Sequence, residues 1–271
     1  MLLRRLSRNS GWIPQYHGAW PMINVPPLLG IIAGGWRAIH VLLLALWWSG
    51  YFLFYAASVW LRSRMRPRYW PPVRAYGIAV ALLSLATAAA APYLLRWVPL
   101  FLPLVAAAAW AAWRRSERSL ANGVDTVLAA SLMLPVCYDA ALTGHGWHHL
   151  AGHSWHGTAP HIWAMTAFVW AYFTGTILYV KTNVRERGSR RYLVASIAWH
   201  AVWCGAAALA AAIANSSLHI TWWHAGVWLL LTIRATAVPL AGLRGHPISV
   251  KVIGLGEVLS VLLVAVSLLA S

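Results

Sequence analysis

The sequence predicts an all-α, polytopic membrane protein of about nine transmembrane helices. Three observations predict it. The 271 residues are 61% hydrophobic and only 10% charged, whereas a soluble domain carries roughly 25% charged residues. Apolar stretches close to the roughly 20 residues that cross a bilayer follow one another along the chain. These stretches do not alternate polar with apolar residues as a membrane barrel would. Each must therefore satisfy its own backbone hydrogen bonds in lipid, which makes it a helix.

In order, the spans fall near 21–36, 39–61, 76–94, 97–113, 120–142, 159–180, 193–214, 217–239 and 251–270. The first is short and contains Pro26 and Pro27. The third and fourth are separated by little more than Pro92 and Arg96. Residues 1–20 read as a cytoplasmic or interfacial segment, and residues 21–271 as a single transmembrane domain. Arg4, Arg5 and Arg8 are followed by Trp12, Pro14 and His17 rather than by an apolar run, so no cleaved signal peptide is expected. Cys137 and Cys204 lie in different spans and form no metal or disulfide spacing.

The net charge of +16 would suggest nucleic acid in a soluble protein. Between apolar spans it reads instead as loop anchoring beside anionic lipid, with the bilayer and no nucleic acid as partner. With the amino end inside, segments 1–20, 62–75, 114–119, 181–192 and 234–251 hold 19 of the 21 Lys and Arg, leaving only Arg37 and Arg96 elsewhere. Short-loop basic bias sets orientation. It predicts a bacterial plasma-membrane protein with a cytoplasmic amino terminus and an outer carboxyl terminus. Tyr51-Phe52 recurs as Tyr172-Phe173, and Arg64 and Arg66 recur as Arg185 and Arg187, all at an offset of 121 residues. The recurrence reads either as two helix quartets related in parallel or as chance, since aromatics and arginines are common at every interface of this chain.

Few residues carry chemistry. Asp125 and Glu257 fall inside spans. A charge at the centre of a membrane helix costs about 2.5–3.5 kcal/mol on insertion scales, so each needs a partner in the bundle. Arg234 is placed to serve either one. Lys181, Arg185, Glu186 and Arg187 form the densest polar cluster, and Arg64 and Arg66 form a second basic loop. Guanidinium forks suit phosphate or carboxylate. The two loops predict a cytoplasm-facing cavity for an anionic lipid or isoprenoid phosphate, with His17 and Asp125 as further contributors. His145, His148, His149, His153, His156 and His161 form an outer tract with irregular spacing, read as a surface loop or a loose metal site. His200 and His224 lie within spans, where paired histidines can ligate haem, but nothing in the sequence shows that they face each other, and core or interfacial hydrogen bonding is the role expected of them. No Walker sequence, dinucleotide fingerprint or serine elbow is present. The competing readings are a proton-coupled transporter using Asp125 or Glu257, and a haem or metal protein.

The residues Trp12-Ile13-Pro14, His17-Gly18-Ala19-Trp20, Leu178-Tyr179-Val180-Lys181-Thr182 and Arg185-Glu186-Arg187-Gly188 resemble the YwiC-like membrane proteins over most of the chain. That family implies no established activity. The polar loops after the second and sixth spans more distantly resemble the UbiA-type intramembrane prenyltransferases. The resemblance implies aspartate-rich magnesium sites at those two loops. Here the equivalent segments carry arginines, Glu186 and no aspartate. Magnesium takes oxygen ligands, so metal-assisted ionisation of a diphosphate is not expected.

Overall fold

The computed structural model describes residues 11–14, 18–116, 119–142, 158–213, 217–246 and 248–270. Among these the chain is helical, and eight stretches of 20–24 residues are long and apolar enough to cross a membrane. At about 1.5 Å per residue they match a hydrocarbon core of roughly 30 Å. The helices fall into two compact units, Met1–Thr158 and Ala159–Ser271.

The first unit begins with α1 (Ala19–Gly34) and α2 (Ile39–Arg62). A 3-10 turn leads into α3 (Trp70–Ala90), and a second, Pro92–Trp97, leads into α4 (Val98–Trp113). The last span is α5 (Leu120–Ser131) continued as α6 (Met133–Leu142). The break falls at Leu132 because Pro135 has no N–H to offer the Ser131 carbonyl. Ser119 caps α5 by accepting from the Asn122 amide at 3.1 Å.

The first expected span is shorter than the other eight. α1 has 16 residues, about 24 Å at the helical rise, and so falls below the thickness of a bilayer core. The segment before it extends its reach. Gly11 lies beside Val59, Tyr69 and Pro72, and the Tyr76 hydroxyl donates to the Trp12 carbonyl at 2.8 Å. α1 runs antiparallel to α2: the Trp47 indole donates to the Ile23 carbonyl at 2.8 Å, and Trp20 packs edge-on against Tyr51 and Phe52. Residues 11–14 thus lie at one end of α2, and Gly35, in the left-handed region at φ 92°, ends α1 at the other.

α1 packs closely on α6 through Gly30 and Gly34. A Cβ on Gly30 would stand 2.1 Å from the Leu134 carbonyl oxygen, and one on Gly34 would stand 2.9 Å from the Tyr138 carbonyl oxygen and the Ala141 Cβ. This is the small-xxx-small approach by which membrane helices gain packing where lipid supplies no hydrophobic drive. His40, fully buried, fastens the same region: it accepts from the Arg37 amide and donates through Nε2 to the Cys137 carbonyl, both at 2.9 Å.

The second unit is four helices: α7 (Pro160–Asn183), α8 (Arg190–Ala212), α9 (Trp222–Leu243) and α10 (Val250–Leu269). α7 is buried over most of its length, and the others each turn a face outward. An aromatic cluster of Phe168, Trp203, His224 and Trp228 fills one end. α2 and α7 are both 24 residues long, and their ends lie 121 residues apart in sequence, the offset of the repeated Tyr-Phe and arginine pairs.

Candidate functional site

Each unit contains one ion pair among its described residues, and each joins consecutive spans. In the first unit, Arg96 pairs with Asp139, and the Trp97 indole donates to the second Asp139 oxygen at 2.7 Å. The charge split had left Arg96 away from the basic loops. The structure supplies the reason, because its charge is matched locally by Asp139.

In the second unit, Arg234 of α9 meets Glu257 of α10 at 2.6 Å. Thr176 donates to the other Glu257 oxygen at 2.8 Å, and the Tyr172 hydroxyl lies 3.3 Å from it. Arg234 also donates to the Ser260 hydroxyl at 2.7 Å, and its guanidinium lies 4.3 Å from the centre of the Tyr179 ring. Two positions of α7 one turn apart, Tyr172 and Thr176, thus solvate the carboxylate, while Tyr179 covers the cation. Arg234 was placed from sequence as partner to Asp125 or Glu257, and it pairs with Glu257. Tyr172, Tyr179, Thr176 and Ser260 were not read as site residues. The i, i+4 spacing of Tyr172 and Thr176 and the i, i+3 spacing of Glu257 and Ser260 were the available signals.

The basic turn after α7 lines a separate pocket. Gly188, at φ 83°, turns the chain into α8. Arg187 and Arg190 flank a pocket of about 320 Å³ whose walls include Thr182, Asn183, Ser189 and Gly242. A Cβ on Gly242 would lie 3.5 Å from an Arg187 guanidinium nitrogen, an ordinary contact distance, so the fork lies against α9 at that position. Lys181 is half-buried, with its ammonium 5.8 Å from the centre of the Tyr192 ring. Arg185 is exposed and Glu186 half-buried.

The other expected site residues fall elsewhere. Arg64 and Arg66 are exposed in the turn after α2, in the first unit; Arg64 and Met65 are both left-handed at φ 58°. Asp125, half-buried on α5, has one carboxylate oxygen enclosed and without a hydrogen-bond partner among the described residues. His17 and the histidines at 145, 148, 149, 153 and 156 lie outside the described residues. His161 stacks on His219 with ring centres 4.9 Å apart. Among the described residues no three His, Cys, Asp or Glu gather as a metal site.

His200 and His224 take the hydrogen-bonding role expected of them rather than the competing role of haem ligands. His224 donates through Nδ1 to the Ser267 hydroxyl at 2.7 Å and accepts from the Trp228 indole at 2.9 Å, so both nitrogens are engaged. His200 donates to the Ser196 carbonyl at 2.7 Å. Its other nitrogen is closed off by α7, since a Cβ on Gly175 would lie 2.8 Å from it. Neither imidazole is open to iron. Ser267→Ala should leave the buried His224 without its acceptor, lowering stability in detergent by about 1–3 kcal/mol. An unchanged melting midpoint would show that this bond contributes nothing.

These features define an all-helical, multi-pass membrane protein with one internal ion pair per helical unit among the described residues. The family model described as YwiC-like protein matches residues 13–138. The chain is similar to the uncharacterized protein YwiC of Bacillus subtilis, at 29% identity over 231 residues, covering 82% of this chain and 90% of that one. It is also similar to an uncharacterized protein of Haemophilus influenzae, at 25% identity over 190 residues, covering 69% and 74%. No solved structure matches.

Proposed function

We propose that this YwiC-like membrane protein binds an anionic isoprenoid phosphate or phospholipid headgroup in the pocket between Arg187 and Arg190. The observation that carries the reading is the pocket itself, about 320 Å³ at the polar end of membrane-length helices, lined by two guanidinium groups, an amide and two hydroxyls. Arginine forks bind phosphate oxygens bidentately, and the apolar helix faces below suit a hydrocarbon tail. Lys181, Arg185 and Glu186 border the pocket's turn, and Arg64 and Arg66 form the corresponding basic turn of the first unit. The reading includes a cytoplasmic amino terminus and an outer carboxyl terminus, supported by the 19-to-2 division of basic residues. It also includes a UbiA-like arrangement of helix quartets, supported by the paired loops.

Native mass spectrometry with phosphatidylglycerol and with farnesyl diphosphate tests it. A basic residue near anionic lipid contributes about 1 kcal/mol, so Arg187→Ala and Arg190→Ala together should weaken retention by more than tenfold. Equal retention by the double variant would sink the proposal. The Arg234–Glu257 pair favours a second reading, a proton-coupled transporter. Its test is pH-driven flux in proteoliposomes, lost in Glu257→Gln.

A further inference from the structure

The first unit carries two adjoining cavities at the end of α2 remote from the arginine-rich turn. One, of about 610 Å³, is lined by Arg37, Leu42, Ala91, Tyr93 and Ala140. The other, of about 390 Å³, is an apolar groove walled by Trp47, Gly50, Thr87, Phe101 and Val136. Ala91 belongs to both walls. We propose that these cavities form one site for an anionic amphiphile, with its head beside Arg37 and a single hydrocarbon tail along the groove past Gly50.

Three observations meet there. Arg37 is one of the two basic residues that the charge split leaves outside the basic loops. Arg96 has Asp139 as its partner, whereas Arg37 is exposed and, among the described residues, makes no ion pair and lines a cavity with no acid in its wall. A cation so placed, at the end of a membrane span, complements an anionic headgroup. Thr87 supplies the second observation. Thr126, Thr166, Thr182, Thr232 and Thr236 return their hydroxyls to the carbonyl four residues earlier. The Thr87 hydroxyl, like those of Thr174 and Thr221, is buried without a partner among the described residues, and it alone of the three lines these cavities, one turn from Ala91 where they meet. It is placed to donate to an ester or phosphate oxygen below the head. The third is Gly50. A Cβ there would touch nothing within 4 Å, so the groove continues past the backbone of α2 in the space a side chain would fill. A groove of this size with mostly apolar walls and few placed polar groups has the character of a ligand site.

The site is independent of the Arg187–Arg190 pocket, which lies in the other unit, and the experiment separates them. The protein is reconstituted in phosphatidylcholine vesicles doped with a phosphatidylglycerol that carries a diazirine in one acyl chain. After irradiation the labelled residues are mapped by mass spectrometry. Label is expected on Trp47, Phe101 and Val136. Gly50→Leu, whose Cβ would meet nothing within 4 Å and whose side chain favours the helix, should abolish it. Arg37→Ala should reduce it about fivefold, the value of one basic residue at anionic lipid, and Thr87→Val should reduce it as well. Soluble glycerol phosphate should not compete, and Arg187→Ala should leave the label unchanged. Label spread over outward side chains such as Leu82 and Leu85 and indifferent to Gly50→Leu would show boundary lipid only and overturn the site. Equal labelling by a phosphatidylcholine probe would overturn the role of Arg37.

Discussion

Glu257→Leu is expected to destabilise the second unit by about 3–5 kcal/mol, the usual effect of stranding one member of a buried ion pair. Arg234 would keep its charge, because a guanidinium does not give up its proton. Among the described residues it would retain the Ser260 hydroxyl and the Tyr179 face as polar partners. The converse change, Arg234→Met, should be milder. A stranded carboxylate can be neutralised by a proton, and Thr176 and Tyr172 would still bond it. The double variant should recover much of the loss, since an apolar pair of similar volume often replaces a buried ion pair without penalty. The measurement is a double-mutant cycle on unfolding midpoints in one detergent. Additive losses from the two single variants would show that Arg234 and Glu257 do not depend on one another.

Gly30→Leu should prevent normal assembly of the first unit, and even Gly30→Ala should lower its stability by about 3 kcal/mol, the upper range for overpacking. The obstacle is backbone. A Cβ at Gly30 would lie 2.1 Å from the Leu134 carbonyl oxygen and 3.0 Å from the Cys137 Cβ. A flexible side chain can rotate away, but a helix carbonyl cannot, so α1 and α6 would have to separate. Separation would also strain the bond from His40 to the Cys137 carbonyl. Gly77, Gly205 and Gly226 provide the comparison, because a Cβ at any of them meets nothing within 4 Å. Changing these to alanine should be neutral or slightly stabilising, since glycine is the poorer helix former by about 1 kcal/mol. Yield and melting temperature, followed by fluorescence-detected size-exclusion chromatography, distinguish the two groups. A Gly30→Ala protein as stable as Gly77→Ala would refute the close-packing account.

The spans were largely legible because a membrane-crossing helix announces itself by length and polarity alone. Eight of the nine expected spans are helices of 20–24 residues. α1 was harder to read because its reach depends on residues 11–14, whose hold on Val59, Tyr69 and Tyr76 is a long-range contact. The site was legible only in pieces. Glu257 stood out as an acid in an apolar run, and Arg234 as its possible counter-ion. Tyr172 and Thr176 did not, because hydroxyls are common in membrane helices and only the rotation of α7 aims these two at Glu257. Nothing local in the sequence shows that Asp139 and Arg96 meet. His200 and His224 were legible as core hydrogen-bonding residues, but their partners Ser196, Ser267 and Trp228 were not, because side-chain direction and helix rotation bring them together.

By itself the sequence determined that this chain is an all-helical membrane protein and which turns are basic. Those properties follow from the solvation of each segment, and a segment carries its own hydropathy and charge wherever it packs. Only the tertiary structure decided which charges pair, which glycines are close contacts and which arginines border a cavity. Those outcomes depend on how each helix is rotated and how near its neighbour lies. A hydropathy pattern that is apolar on every face leaves both undetermined.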